Sequence, residues 1–236
     1  MNPTLQFIRP LLLTAAFFSV TLGSTQAQVL YYSFGGPTVA TQTRSADIFD
    51  SNITPTDLNS FNTGASNFYR PGGNNPTGIG AGGPISGSSS LQANGWSQED
   101  NFGPAVTSYY SFGFTVDSGT VEVPAIEFYT SRNGGGAQAL TVQYSTEAAF
   151  ANPVTIGSST IDVVGSQPSV AWQLQSFSVG VDLAATEFIE FRIFGYAASG
   201  GGNFRIDDVS VVPEPATGAL FALGGLGLAL LRRRRA

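Results

Sequence analysis

The 236-residue sequence has no cysteine, no histidine and no lysine, and only one methionine and two tryptophans. No disulfide can staple the fold, and a chain of this length buries enough apolar surface to do without one. Losing histidine and cysteine together removes Ser-His-Asp and Cys-His nucleophiles, His/Cys zinc sites and the usual haem ligands. Losing lysine removes the Schiff base. What survives is carboxylate chemistry, either a glycosidase-type acid pair or oxygen ligation of calcium. Positive charge is scarce too. Between residues 28 and 215 the only cations are Arg44, Arg70, Arg132, Arg192 and Arg205, set against all sixteen acids, for a net charge of −11. Such a body repels nucleic acid and anionic lipid and stays soluble by like-charge repulsion. No nucleic-acid partner is expected.

The two ends differ from the body. Residues 1–27 read as a secretory signal peptide, with Arg9 as its charge, residues 11–20 as its apolar stretch, and Thr25-Gln26-Ala27 as a small-x-small cleavage site. Cleavage after Ala27 leaves Gln28 as the first mature residue. At the other end, Val212-Pro213-Glu214-Pro215 precedes sixteen residues without charge, 216–231, and then Arg232, Arg233, Arg234 and Arg235. The prolines fix φ and lack an N–H, so no regular element passes through them. As a helix, sixteen residues span roughly 24 Å, and snorkelling arginines help to bridge a hydrocarbon core of about 30 Å. The arginine cluster stays on the cytoplasmic side and leaves everything upstream outside.

This tail resembles the sorting signal of PEP-CTERM proteins, in which a Pro-Glu-Pro motif, a short membrane helix and an arginine cluster follow in that order. The resemblance implies an exosortase-type membrane transpeptidase as partner. It implies transient insertion in the inner membrane as a precursor, then delivery to the cell surface or extracellular matrix. The body, residues 28–211, also resembles those of the family, over about Ser108 to Val212. Phe188-Ile189-Glu190-Phe191-Arg192-Ile193-Phe194-Gly195-Tyr196, a Ser/Gly loop and Phe204-Arg205-Ile206-Asp207-Asp208-Val209-Ser210-Val211 look like its closing hairpin. Tyr144-Ser145-Thr146 to Phe150 looks like its strand, serine and short turn. Those bodies look like jelly-roll sandwiches of the kind found in carbohydrate-binding modules.

The residues by themselves point the same way. Tyr110, Phe112, Phe114 and Val116 alternate with polar or small neighbours, which is the period-two pattern of a half-buried strand. Similar runs include Ile126 and Phe128, then Leu140, Val142 and Tyr144, and segments near 160–164, 170–181, 187–196 and 203–212. A short helical turn is expected over 146–151. Residues 63–94, with eight glycines among proline, asparagine and serine, read as a long surface loop. Many short strands and no long amphipathic helix predict an all-β, antiparallel, jelly-roll-like sandwich, flanked by the signal-peptide helix and a C-terminal transmembrane helix. Two phase slips, at Asp207-Asp208 and between Leu174 and Phe177, predict one-residue bulges.

Three sets of residues are candidates for function. Asp207 and Asp208, adjacent at a bulge, are oxygen donors for a structural calcium, the role that a late-strand acid has in the jelly-roll modules resembled; otherwise one is solvated and the other caps backbone N–H groups. Trp96, Tyr109, Tyr129, Trp172 and Tyr196 are flat enough to stack on sugar rings, with Trp96 at a loop boundary expected to be the exposed one. Glu190 and Arg192, two apart on one strand, read as an outward ion pair. A catalytic Glu190 needs a second carboxylate across a groove, and no spacing nominates one. The reading is a noncatalytic exported protein, structural or adhesive in an exopolysaccharide matrix, with a polysaccharide-binding module and then a carboxylate-dependent hydrolase as alternatives. No cofactor beyond that calcium is expected.

Overall fold

The computed structural model describes residues 29–34, 44–64, 66–69, 90–162 and 172–212. The expected signal peptide with its Ala27/Gln28 cleavage site lies outside the described residues. So do Pro213, Glu214, Pro215, the 216–231 span and the four terminal arginines. Among the described residues no helix is long and apolar enough to cross a membrane.

Among the described residues thirteen strands are seen. Short ones come first: β1 (Leu30–Tyr32), β2 (Ile48–Phe49), β3 (Ile53–Pro55), β4 (Asn59–Phe61), β5 (Ser66–Tyr69) and β6 (Ser90–Ala93). Longer ones follow: β7 (Tyr109–Val116), β8 (Thr120–Arg132), β9 (Ala139–Ser145), β10 (Val154–Thr160), β11 (Gln173–Ala184), β12 (Phe188–Tyr196) and β13 (Phe204–Val212). One sheet runs β11-β8-β13-β1-β2, with β6 beside the first half of β13 and β5 beside β6. The second runs β10-β9-β12-β7-β3, with β4 also on β7. Every pairing is antiparallel. From β7 onward only β9 and β10 are consecutive strands in one sheet, and each other step crosses to the opposite sheet. The result is the expected two-sheet antiparallel sandwich.

Its core is where the alternation placed it. Tyr110, Phe112, Phe114 and Val116 of β7 meet Ile189, Phe191 and Ile193 of β12 on one side, with Ile126 and Phe128 of β8 and Val209 and Val211 of β13 facing them. Phe112 stacks on Phe191 at 5.1 Å and takes the edge of Tyr32 at 5.8 Å. Full burial of side chains of this size contributes about 1.5–3 kcal/mol each before conformational entropy is subtracted.

Several expectations are corrected. The stretch 63–94 is not all loop, because β5 and β6 pair within it at Ser66–Ala93 and Tyr69–Ser90. The strand expected near 160–164 lies earlier, as β10. That strand is a polar edge, and only Ile156 and Val154 give it apolar character, so alternation could not show it. Its Gly157 leaves room for the Phe177 ring, which a β-carbon would meet at 2.6 Å. The slip expected between Leu174 and Phe177 is absent. Pairing there is continuous, Leu174 is 50% exposed, and the register shifts instead between Ser178 and Val181. The shift falls opposite Pro124, which cannot donate to a ladder, and Gly180 takes the left-handed φ of 71° that the bulge needs.

Candidate functional site

Asp207 and Asp208 sit where β13 changes partners. Before them β13 lies beside β6, after them beside β1, and on the β8 side the register jumps from Asp207–Tyr129 to Ser210–Glu127. The expected bulge is therefore present, with Asp208 at a left-handed φ of 47°, a conformation that Asp tolerates better than most residues. Both side chains are buried. The Asp208 N–H donates to Asp207 Oδ1 at 2.9 Å, and the Tyr31 hydroxyl donates to Asp208 Oδ1 at 2.5 Å. Asp208 Oδ2 has no hydrogen-bond partner. Burial pushes the Asp208 carboxyl up to about 6, an effect the Tyr31 hydroxyl opposes and the Asp47 carboxylate reinforces. Tyr31 is itself held well above its ordinary value by burial and by that hydrogen bond. Calcium takes about six to eight oxygens. Among the described residues no three or more acidic side chains cluster to supply them. What the pair visibly does is close a bulge.

Trp96 is not exposed. Only 3% of it is accessible, its Nε1 donates to the Ala93 carbonyl at 2.6 Å, and its ring packs on Tyr110 and Phe204 at 5.0 Å each. It also occupies the space left by the missing side chain of Gly195. The expectation of an open sugar-stacking ring at Trp96 is corrected. A residue at a loop boundary can still be the plug of a sandwich end. Tyr196 is likewise buried, whereas Tyr129 and Trp172 are half-buried.

The open concavity lies elsewhere, on the outer face of the β7/β12 sheet. A groove of about 400 Å³ is lined by Thr56, Asp57, Asn59 and Phe61 from the β3–β4 segment, by alternate outward residues of β7 from Tyr109 to Thr115, and by Phe188, Glu190 and Arg192 of β12. The Arg192 Nε donates to Glu190 Oε1 at 2.7 Å, so the outward ion pair is as expected. Its guanidinium also lies 4.4 Å from the Tyr109 ring centroid and 3.8 Å from that of Phe150. Phe61 stacks on Tyr109 at 5.2 Å with 23° between the planes. Phe61, Tyr109, Arg192 and Phe150 thus form one stack running across the strands. Cation–π contacts of this kind contribute about 0.5–2 kcal/mol.

Local sequence explains the shape. Gly113 is the floor, where a β-carbon would collide with the Ile189 carbonyl oxygen, and its own carbonyl accepts from the Thr56 N–H at 2.9 Å. The β3–β4 segment is anchored from beneath by the Tyr32 hydroxyl, which donates to the Thr56 carbonyl at 2.5 Å. The expected helical turn is a 3₁₀ turn over Ala148–Phe150, and there Ala149 and Phe150 have φ of 58° and 56°. Such values are unfavourable for residues with a β-carbon by about 1–2 kcal/mol each, and here they bring Phe150 beneath Arg192. Phe61 is 44% exposed and presents the outer end of the stack.

Tyr109 and the Glu190–Arg192 pair were legible as candidates, but Phe61 and Asp57 were not. The available signal was a lone aromatic in the polar run Asn59-Ser60-Phe61-Asn62. Asp57 and Glu190 do line the same groove, so the second carboxylate that spacing could not nominate comes from the β3–β4 segment. Asp57 accepts from the Ser45 hydroxyl at 2.8 Å, and Glu190 is held by Arg192.

The described residues thus form an antiparallel sandwich with an aromatic, partly charged groove on an outer face. Residues 211–235 match the PEP-CTERM protein-sorting motif, and the chain carries that signal at its C-terminal end. The matched segment begins at Val211, inside β13. Among solved structures the chain is similar to a family 29 carbohydrate binding module (10% identity, 77% of this chain and 87% of that one, TM-score 0.38). It is also similar to the K2 cleaved adhesin domain of Lys-gingipain (14% identity, 78% and 98%, TM-score 0.40). The K1 cleaved adhesin domain of Lys-gingipain from Porphyromonas gingivalis W83 is a third (13% identity, 79% and 98%, TM-score 0.38). No curated protein sequence matches the chain. Likenesses at this level leave the function to the chain's own residues.

Proposed function

We propose that this is an exported, noncatalytic protein that binds polysaccharide through the groove over β7 and β12 and so acts as an adhesive component of an extracellular matrix. The observation that carries the reading is the Phe61–Tyr109–Arg192–Phe150 stack, open at Phe61 and flanked by Asn59, Ser111, Thr115 and Glu190. An aromatic face with hydrogen-bonding groups beside it is what a pyranose ring requires, because the sugar presents apolar C–H faces and polar edges. Delivery follows from the sorting motif. The leader is removed after Ala27, an exosortase-type transpeptidase recognises Pro213-Glu214-Pro215, and the tail is discarded from the inner membrane.

The test is affinity electrophoresis of the purified protein in gels containing the producing cell's own polysaccharide. Retardation that disappears in Phe61→Ala supports the reading, and mobility unchanged by the polysaccharide at any ionic strength ends it. For sorting, Glu214→Ala or deletion of residues 232–235 should trap the precursor in the inner membrane, and normal release would show the tail to be misread. A second reading, a carboxylate-dependent glycoside hydrolase, draws on Asp57 and Glu190 lining one groove. Reducing sugar released by the native protein and abolished in Glu190→Gln would establish it.

A further inference from the structure

The charges around the groove restrict which polysaccharide it can hold. This step rests on the glycan-binding reading above and goes on to the chemistry of the ligand. Two carboxylates, Asp57 and Glu190, and one guanidinium, Arg192, line the concavity, so its formal charge is negative. The guanidinium is already engaged. Its Nε donates to Glu190 at 2.7 Å, and its plane lies between the rings of Tyr109 and Phe150. Recognition of a carboxylate by arginine relies on the N–H fork being free to bond in parallel, and here one arm of the fork is occupied by an acid of the same strand. Among the described residues Arg44 is also engaged, donating to Asn59 of the groove and to Ser66 at 3.1 and 3.2 Å. The body carries −11 as a whole, so long-range repulsion adds to the local one.

We propose that the groove takes an uncharged hexopyranose polysaccharide and discriminates against uronate-containing ones. Phe61 supplies the stacking face. Asp57, Asn59 and Glu190 supply acceptors and donors for neutral hydroxyls, for which a carboxylate is a strong acceptor, whereas a sugar acid placed beside Asp57 or Glu190 meets like charge. Arg192 acts as a positioning residue that holds Tyr109 and Glu190 in place.

Affinity electrophoresis tests this in three parallel gels, one with an uncharged β-glucan, one with an uncharged galactomannan and one with polygalacturonate, all with chelator present to prevent calcium bridging. Each is run at about 20 mM and about 300 mM NaCl, on either side of the range where surface charges are screened. The expected result is retardation by at least one neutral polymer that changes less than twofold with salt and disappears in Phe61→Ala. Polygalacturonate should retard the protein at least tenfold more weakly, and Asp57→Lys should narrow that gap at low salt only. Retardation by polygalacturonate that equals the neutral gels and disappears in Phe61→Ala overturns the ligand class while the groove keeps its function. Retardation by no polymer, or retardation indifferent to Phe61→Ala and also to Phe61→Asp, overturns the groove reading and this inference with it. A thermal midpoint within a few degrees of the parent qualifies each variant for the comparison.

Discussion

Two places in this sandwich pair aromatic side chains with carboxylates, and they serve opposite ends. At the β13 bulge, Tyr31, Asp207 and Asp208 are buried, hydrogen-bonded to one another and closed to solvent. In the groove, Phe61, Tyr109, Glu190 and Arg192 lie at the surface with a stacking face left open. The difference is how each carboxylate is satisfied. Asp208 relies on a neutral phenol, and one of its oxygens has no partner, so its ionised form is costly. Glu190 has a cation. The first arrangement sets the register of a central strand, and the second leaves polar and aromatic groups available to a ligand.

Substitutions separate the two. The largest effect on stability is expected from Tyr31→Phe, which leaves the buried Asp208 carboxylate without its donor and should cost about 1–3 kcal/mol at pH 7.5. That corresponds to a midpoint lowered by roughly 2–12 °C for a domain of this size. The loss should be smaller at pH 4.5, where Asp208 is protonated, and calorimetry at the two pH values measures it. An equal loss at both would mean that the hydroxyl acts through packing alone.

The next effect is in pH dependence. Asp208 is raised to about 6 in the folded protein, above the ordinary aspartate range, so the folded state holds this proton more tightly than the unfolded state. The contribution of the protonated group is then fully present below about pH 4 and is lost as pH rises through about 6, by roughly 2–3 kcal/mol in all. Asp208→Asn keeps an acceptor for Tyr31, tolerates the left-handed backbone and cannot ionise. Its midpoint should gain on the parent's steadily between pH 4.5 and pH 7.5. Parallel profiles would place the titration elsewhere.

In the groove, Phe61→Ala should change stability by less than about 1 kcal/mol, since a ring 44% exposed has little burial to lose, while abolishing retardation by polysaccharide. A large drop in midpoint would make Phe61 a core residue and dissolve the comparison. The smallest effect is expected from chelator. With no cluster of three acids among the described residues, EDTA should leave the midpoint unchanged, and a fall of several degrees would restore Asp207 and Asp208 as calcium ligands.

Much of the sandwich was legible, and the reasons it was differ from strand to strand. β7 and β12 could be read because large apolar residues recur at every second position on the face turned to the core, which prints a period of two on the sequence. The Asp207-Asp208 bulge could be read because Phe204 and Ile206 fall out of phase with Val209 and Val211. β10 could not, because a polar edge strand buries almost nothing. The β11 bulge was misplaced because its cause, Pro124, lies on the neighbouring strand some fifty-five residues away. Trp96 was misjudged because burial at a sandwich end depends on Gly195 and Phe204, which reach it from β12 and β13. The groove was half visible. Glu190 and Arg192 share a strand face and could be paired by counting, whereas Phe61 and Phe150 join them only through strand order.

By itself, then, the sequence determined the address and the class of fold. A sorting signal is a linear message of prolines, apolar residues and arginines, and alternation is a local property of each strand. The tertiary structure decided which face is open and what stands on it. From β7 on, nearly every consecutive pair of strands is split between the two sheets, so neighbours in space are distant in the chain. An aromatic stack drawn from residues 61, 109, 150 and 192 exists only once those strands have paired.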